Sequence, residues 1–291
     1  MTREELFEKV RILREEPSLG EPTKEELQAY DANAGEFYIP GREGHQIHVY
    51  RYAPDHLPAQ APLIINFHGG GFIFGWSEKS GLFCSKLALA HECIVWDVDY
   101  SVAPEAPFPA AVHESYDVCA YAFDHAGELG IDPKRVILGG HSAGANLAAT
   151  VCMKLSETHA FCPAGLIMDY PPLDVDTEPF AKEQAEEAMA AERAVIFNAS
   201  YCPNKEGKDP YASPIYAETS MLTAFPETLI ITCQLDNLCK EGEQFAGMLV
   251  EAGITVTSRR FLKSSHGFTI GRREEWEDAM ELIHGFIKRV I

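Results

Sequence analysis

The segment Gly140-His141-Ser142-Ala143-Gly144 places a serine between glycines at the junction of two contrasting stretches of sequence. The apolar run Val136-Ile137-Leu138 precedes it, and a helix-forming run from Asn146 to Leu155 follows it. Strand, tight turn and helix in this order are the context in which a G-x-S-x-G sequence presents a serine hydroxyl on a strained turn. Taken alone, the segment also fits an ordinary small-residue turn. In this context it predicts an α/β architecture with Ser142 as a nucleophile.

A second glycine-rich segment lies upstream, where His68-Gly69-Gly70-Gly71 directly follows the apolar run from Pro62 to Phe67. That run predicts a buried strand, so the glycines begin where a strand ends. Bare N–H groups in such a loop can approach a developing oxyanion, because no side chain blocks them. A flexible loop and a phosphate cradle are the other interpretations, but neither G-x-x-x-x-G-K-[ST] nor G-x-G-x-x-G starts here. The two motifs together favour attack of a serine on a carbonyl carbon.

Such a serine needs a histidine and a carboxylate, in the chain order serine, acid, histidine. The run from Thr228 to Cys233 predicts a buried strand, and Asp236 follows it within a few residues. The next predicted strand, from Ile254 to Phe261, is followed by His266. Sites assemble at the carboxyl ends of strands in an open α/β sheet, so both side chains are expected at that edge.

The acid has competitors on the sequence evidence. Asp169 and Asp174 follow the strand-like run Gly165-Leu166-Ile167-Met168 and also lie between the serine and the histidine. Asp97 and Asp99 precede the serine and break the required order, so we interpret them as loop anchors.

Taken in chain order, these segments resemble the hormone-sensitive-lipase-like (HGGG / GxSxG) branch of the α/β-hydrolase esterases. The matching segments are His68 to Phe72, Asp99 to Glu105 with Phe108 to Ala111, Gly140 to Ala148, Ala212 to Pro214, Leu235 to Leu238 with Glu241-Gly242, and His266 to Phe268. Only the first third of the chain is poorly covered. The resemblance implies an α/β-hydrolase fold, with a mostly parallel central sheet flanked by helices and a helical cap.

The resemblance implies that Ser142 is the nucleophile and His266 the general base, which takes the serine proton and returns it to the leaving alcohol. Asp236 would hold His266 in the correct tautomer and stabilise its cation. The sequence Leu-Asp-x-Leu ahead of a Lys-Glu-Gly helix start fits the family, and it favours Asp236 over Asp169 and Asp174.

The resemblance also implies that the backbone N–H groups of Gly70, Gly71 and Ala143 form the oxyanion hole. His68 in such enzymes shapes the loop, and we give it no catalytic role. One position departs from the family, which most often has Asp where this chain has His141. Neighbours on a tight turn point in different directions, so we expect His141 to have a structural or pKa-tuning role and not to act as the base.

The sequence predicts one domain over residues 1–291, and the resemblance implies that segments at about 1–35 and 175–210 form its cap. The first segment carries a helical pattern, a break at Pro17 and a second helix start at Thr23. The second contains a predicted helix from about Phe180 to Phe197, with an exposed side from Glu183 to Glu187. Candidate pocket walls, which fit burial against the core equally well, are Phe180, Met189, Ile196, Phe197, Tyr201, Phe72, Phe74 and Trp76.

The formal net charge of −20 argues against nucleic acid and anionic membranes as partners, because both bind clustered Lys and Arg. The start Met1-Thr2-Arg3-Glu4-Glu5 is not that of a signal peptide, and no apolar run has the length of a membrane span. The eight cysteines show no metal-ligand spacing. Several of them, Cys93, Cys119, Cys152 and Cys233, lie in apolar runs. We therefore expect reduced thiols in a cytoplasmic protein.

The sequence thus predicts a serine carboxylesterase that hydrolyses short-chain acyl esters of small molecules through an acyl-enzyme intermediate, with no metal or organic cofactor. An amidase or formamidase on the same scaffold is an alternative, as is a non-catalytic binding protein. A true lipase fits less well, because it would want an exposed apolar lid and usually secretion. Dimers occur among similar proteins, often through the last strand and helix, here near residues 254–261 and 274–290.

Overall fold

A single sheet organises the part of the chain that the computed structural model describes, residues 2–16, 22–29, 34–42, 44–185 and 188–291. Its strands are β1 (Gly35–Pro40), β2 (Gln46–Tyr52), β3 (Ala61–Phe67), β4 (Ile94–Asp99), β5 (Ile131–His141), β6 (Gly165–Asp169), β7 (Glu227–Leu235) and β8 (Val256–Ser265). Their order in the sheet is β1-β2-β4-β3-β5-β6-β7-β8. Strand β2 pairs antiparallel with both β1 and β4, and every pair from β4 to β8 is parallel. The carboxyl ends of β3 to β8 therefore meet at one edge of the sheet.

Parallel neighbours require crossover connections, and helices provide them. The helices are α1 (Arg3–Glu15), α2 (Lys24–Ala29), α3 (Glu78–His91), α4 (Ala110–Asp124), α5 (Ala126–Leu129), α6 (Ala143–Thr158), α7 (Ala191–Tyr201), α8 (Cys239–Glu251), α9 (Phe268–Gly271) and α10 (Trp276–Val290). Short 3₁₀ turns lie at Pro179–Ala181, Glu206–Lys208, Pro214–Tyr216 and Thr219–Leu222.

Both faces of the sheet are covered, as expected for parallel strands that are apolar throughout. In β3, Leu63 and Ile65 belong to the hydrophobic cluster that includes residues of α4, α6 and α8. Ile64 between them belongs to a second cluster, with residues of α3 and α10. Successive side chains of this strand thus point to opposite faces of the sheet and contribute to two different cores. The prediction of a mostly parallel sheet between two helical layers is confirmed.

Helix α1 begins after a capping box, in which Glu5 N–H donates to the Thr2 hydroxyl and Thr2 N–H donates to the Glu5 carboxylate. The predicted apolar face of this helix, Leu6, Val10 and Leu13, is buried. The same exchange between Thr23 and Glu26 starts α2, where the sequence predicted a helix. The predicted break at Pro17 lies outside the described residues.

The prediction of a helix from Phe180 to Phe197 was wrong for most of its length. Pro179 starts only one 3₁₀ turn, and α7 begins at Ala191. Between them, Glu183 and Gln184 are exposed as expected but not helical, while positions 186 and 187 lie outside the described residues. The cause is tertiary: Lys182 donates to the Asp174 carbonyl, and Asn237 bonds to Gln184, to Ala185 N–H and to the Met189 carbonyl. These contacts hold the segment in a non-helical path.

We expect Gly144→Ala to destabilise the folded protein, because a Cβ at Gly144 would lie 1.9 Å from the Phe67 carbonyl oxygen. The free energy of unfolding should fall by about 3 kcal/mol or more, since two backbone segments would have to separate. Chemical denaturation measures this. Gly247→Ala is the matched control, because nothing lies within 4 Å of a Cβ there and α8 should gain about 0.5–1 kcal/mol. Equal stability of both variants would contradict the packing argument.

Candidate active site

The turn between β5 and α6 carries Ser142 in a strained backbone conformation. Its φ of +50° and ψ of −122° lie in a region that side chains rarely adopt. The turn closes only because its neighbours lack side chains: a Cβ on Gly140 would lie 2.4 Å from the Gly144 carbonyl group. Ser142 N–H donates to the Asp169 carbonyl at 2.8 Å, which ties the turn to β6. Steric crowding therefore explains why both flanking positions of the motif are glycine.

Three side chains that are far apart in the sequence meet above this turn. The Ser142 hydroxyl lies 2.9 Å from His266 Nε2, and His266 Nδ1 lies 2.8 Å from Asp236 Oδ2. Ser142 follows β5, Asp236 follows β7 and His266 follows β8, so the parallel strand ends bring them together. With the proton on Nδ1, the imidazole donates to Asp236 and accepts from the serine. This is the geometry of a nucleophile, a base and a group that orients the base.

Asp236 is buried, with 6% of its surface exposed. Both of its carboxylate oxygens nevertheless accept hydrogen bonds. Oδ1 accepts the Leu238 N–H at 3.1 Å, and Oδ2 accepts the weak Cys233 S–H donor at 3.6 Å in addition to His266. A desolvated carboxylate with these partners keeps a fixed orientation.

His266 is held from two further sides. The ring of Tyr170 meets it edge to face, with centroids 4.9 Å apart. Arg273 donates to the His266 carbonyl at 3.0 Å. Sequence reasoning missed both residues, because neither belongs to a motif and only the tertiary structure brings them to His266.

The glycine loop after β3 lies beside the serine turn. Gly70 and Gly71 have φ of +139° and +57°, which favours glycine at both positions. His68 stacks on Tyr100 at 4.2 Å, bonds through Nδ1 to the Gly69 carbonyl, and accepts the Tyr100 hydroxyl at its own carbonyl. His68 therefore shapes the loop, in agreement with its expected role.

The N–H groups of Gly70, Gly71 and Ala143 have no hydrogen-bond acceptor within the described ranges of the chain. Ala143 is the first residue of α6, where an N–H has no partner inside the helix. Unpaired donors at a helix start and in a neighbouring glycine loop are suited to bind an anion or a polarised carbonyl.

The competing acids lie elsewhere. Asp169 is buried behind the serine turn, 3.7 Å from His141 Nε2. Asp174 accepts the N–H groups of Asp176 and Thr177 at its own turn. Neither is hydrogen-bonded to His266, whose Nδ1 is taken by Asp236.

The anchors predicted on β4 hold the far side of the glycine loop. Asp97 accepts the Trp76 indole N–H and the Asn66 amide, both at 2.7 Å. Asp99 accepts the Trp76 backbone N–H at 3.4 Å.

The side chain of His141 lies in the core, on the side away from the hydrogen-bonded Ser142, His266 and Asp236. It is 3% exposed and meets the Phe83 ring edge to face at 4.4 Å. Burial lowers the pKa of its imidazole to about 3, so it is neutral at physiological pH.

Helices α1 and α7 pack together over the glycine loop, and Phe197 makes the contact. Its ring lies against Gly71, where a Cβ would come within 2.5 Å of it. Phe197 also meets Phe74 edge to face at 6.1 Å and shares a small hydrophobic cluster with Val10 and Leu13 of α1. The ring therefore restricts the space beside the loop.

Two arginines stabilise the layer that α1 and α7 form over the glycine loop. Arg14 of α1 donates to the carbonyls of Ile73 and Ala103 and pairs with Glu105 at 2.8 Å. Arg193 of α7 lies over the rings of Phe74 and Phe197 and pairs with Glu16, the residue that follows α1. The sequence pattern gave no sign of either contact.

Among the described residues, no group of three or more His, Cys, Asp or Glu side chains is arranged to hold a metal ion. Cys93, Cys119, Cys152 and Cys233 are buried free thiols, as the sequence indicated. None of the helices in the described ranges combines the length and the hydropathy that a membrane crossing requires.

Comparison with known proteins agrees with this architecture. Residues 64–270 match the family described as alpha/beta hydrolase fold. An arylesterase of Saccharolobus solfataricus is 30% identical over 209 residues, which are 71% of this chain and 68% of that protein. Hormone-sensitive lipase of Homo sapiens is 36% identical over 118 residues, 40% of this chain and 11% of the lipase.

A solved hyperthermophilic esterase from the archaeon Pyrobaculum calidifontis superposes with a TM-score of 0.82 at 28% identity, covering 99% of this chain and 90% of that one. The chain spans 61 to 69% of the length of the arylesterase and of further curated hydrolases of this kind. The chain belongs to the hormone-sensitive-lipase-like branch of the α/β-hydrolase fold esterases, a class of carboxylic ester hydrolases. The resemblance drawn from the motifs is thereby confirmed.

We expect Asp236→Asn to lower the turnover of an ester substrate by about 10⁴-fold, because the amide no longer stabilises the correct tautomer and the cation of His266. Steady-state kinetics on a chromogenic ester would measure this. Asp174→Asn is the matched control and should leave turnover within a few-fold of wild type. The reverse ranking of the two variants would overturn the choice of acid.

Proposed function

We propose that this protein is a serine carboxylesterase that hydrolyses short-chain acyl esters of small molecules through an acyl-enzyme intermediate. The observation that carries the proposal is the continuous hydrogen-bond chain from the Ser142 hydroxyl through His266 to Asp236. In the first half-reaction, His266 Nε2 takes the serine proton as Oγ attacks the ester carbonyl carbon. The imidazolium then returns that proton to the leaving alcohol, and Asp236 stabilises the cation in between.

Water completes the second half-reaction. His266 takes a proton from water as the water oxygen attacks the acyl carbon. The carbonyl–Oγ bond then breaks while the imidazolium returns that proton to Oγ, which releases the carboxylic acid and restores the serine hydroxyl. Both tetrahedral intermediates carry negative charge on the former carbonyl oxygen. The three unpaired N–H groups, of Gly70, Gly71 and Ala143, are the donors assigned to that oxygen.

The cap in this proposal consists of the N-terminal segment, residues 1–35, and the segment 175–210, in one domain with the sheet. The packing of α1 against α7 supports it, because this layer lies over the glycine loop and excludes water from one side of the site. The Phe197 ring against Gly71 leaves little space beside the oxyanion donors. A short acyl group fits this space better than a long one.

The experiment that tests the proposal is hydrolysis of p-nitrophenyl esters from acetate to dodecanoate by wild type and Ser142→Ala. We expect turnover that is highest for short acyl groups and that falls by at least about 10³-fold in the variant, which removes only the nucleophile. Circular dichroism checks that the variant remains folded. Residual turnover within tenfold of wild type would overturn the assignment of Ser142, and folded protein inactive on every ester would favour an amide substrate or a binding protein.

We expect Phe197→Ala to shift the acyl preference towards longer chains. The ratio of kcat/KM for octanoate over butyrate should rise about tenfold, which corresponds to about two additional buried CH₂ groups at about 0.8 kcal/mol each. Phe180→Ala is the matched control, since that side chain belongs to the same segment but is 56% exposed, and its ratio should not change. An unchanged ratio in Phe197→Ala would mean that the acyl chain lies elsewhere.

A further inference from the structure

Two buried ionisable side chains behind the serine turn take no part in the proposed reaction. His141 ends β5 and Asp169 ends β6, and the two residues are register partners in the sheet. Both are held to the nucleophile through the main chain: His141 precedes Ser142, and the Asp169 carbonyl accepts the Ser142 N–H at 2.8 Å. Any movement of this pair is therefore transmitted directly to the serine.

The polar atoms of the pair are close but not paired. His141 Nε2 and Asp169 Oδ2 are 3.7 Å apart, which is too far for a direct hydrogen bond. Within the described ranges, neither carboxyl oxygen of Asp169 has a hydrogen-bond partner, and neither does His141 Nδ1. Asp169 is 1% exposed and His141 is 3% exposed, so bulk water does not compensate.

A narrow cavity adjoins both side chains. Its polar lining is His141, Asp169 and Asn66, and its apolar walls include Phe83, Ile167 and Ile283. It has room for about one water molecule, and a buried water needs two to four polar partners, which these side chains provide. Such a water would bridge the 3.7 Å gap.

Burial disfavours an ionised Asp169 carboxylate more strongly than the groups that face it favour one. In addition to burial, His68 lowers the pKa of His141 from the loop after β3. The hydroxyls of Thr269 and Tyr170 lower the pKa of Asp169, whose charge in turn adds to burial in raising the pKa values of Tyr170 and Cys233. Among the described residues, no lysine or arginine forms an ion pair with Asp169. Burial raises the pKa of the Asp169 carboxyl well above its usual value, and the hydroxyls of Thr269 and Tyr170 oppose that shift only in part.

We propose that His141 and Asp169 are a positioning pair for Ser142, in which a protonated Asp169 carboxyl donates its hydrogen to the neutral His141 imidazole through a water in the cavity. The pair satisfies the polar atoms behind the turn without adding a net charge there. This inference rests on the proposed role of Ser142 for its catalytic consequence, but the protonation state can be tested independently.

The absence of net charge matters for the reaction. Negative charge develops on the carbonyl oxygen during attack, and an ionised Asp169 behind the turn would repel it. A neutral hydrogen-bonded pair supports the strained turn without that repulsion. Ser142 itself remains the only group of this assembly that contacts the substrate.

Infrared difference spectroscopy of wild type against Asp169→Asn, near neutral pH, tests the protonation. A carbonyl band of a protonated carboxylic acid should be present in wild type, shift in deuterated water and disappear in the variant. The comparison with the variant is needed because burial also raises the pKa values of Asp97 and of Glu241, the latter to about 8. An identical acid band in both proteins would overturn the proposal.

Kinetics on a short ester tests the positioning role. Asp169→Asn keeps a neutral donor of the same shape, so kcat should stay within about threefold of wild type. Asp169→Leu removes the donor, and kcat should fall about tenfold or more with little change in KM, because the substrate pocket is not touched. Ile283→Val changes the same cavity without a polar group and is the matched control.

Equal activity of the Asn and Leu variants would overturn the positioning role. If Asp169→Leu does not fold, the infrared result and the activity of Asp169→Asn still decide the proposal. A loss of activity in Asp169→Asn would contradict a neutral Asp169. Ser142→Ala, measured alongside, separates the two claims: turnover that persists there overturns the proposed function, whereas the infrared band depends on Asp169 alone.

Discussion

The close approach of two backbone segments at the serine turn is the constraint on which the rest of the site depends. Gly144 lies against the Phe67 carbonyl, and Gly69 lies against the His141 carbonyl, where added Cβ atoms would be 1.9 Å and 3.1 Å away. This contact places the start of α6 beside the end of β3. It thereby puts the Ala143 N–H and the glycine loop on the same side of Ser142, where the proposed reaction needs its donors and its nucleophile.

Buried polar groups surround this contact, and each of them has a defined effect on the loops. Asp97 is fully buried and holds Trp76 and Asn66, which supports the glycine loop from behind. Asp236 orients His266 at the front of the site. The His141 and Asp169 pair that we propose is the third such element, behind the turn. Burial makes these interactions strong, because an unpaired polar group in the same place would cost stability.

The layer formed by α1 and α7 shows how the outer elements depend on the core. Its hydrophobic cluster is small, and charged side chains fasten it at its edges. Arg14 donates to the carbonyls of Ile73 and Ala103, so α1 is attached to the loop whose Gly70 and Gly71 N–H groups are unpaired among the described residues. The arrangement links the position of Phe197, and therefore the space above Gly71, to helices that are distant in the sequence.

The sequence by itself determined the strand, turn and helix around Ser142. The steric crowding at this turn requires glycine at positions 140 and 144, and that requirement is visible as the G-x-S-x-G motif. It also determined the parallel sheet, through apolar runs, and the order of the candidate triad. The apolar runs did not separate Asp236 from Asp169 and Asp174, and the family resemblance only favoured Asp236. The tertiary structure decided which acid reaches His266, because that depends on where each strand ends in space. The non-helical path before α7 and the partner of His141 were decided in the same way, because hydrogen bonds to Asn237 and burial beside Asp169 join residues with no local relation in the sequence.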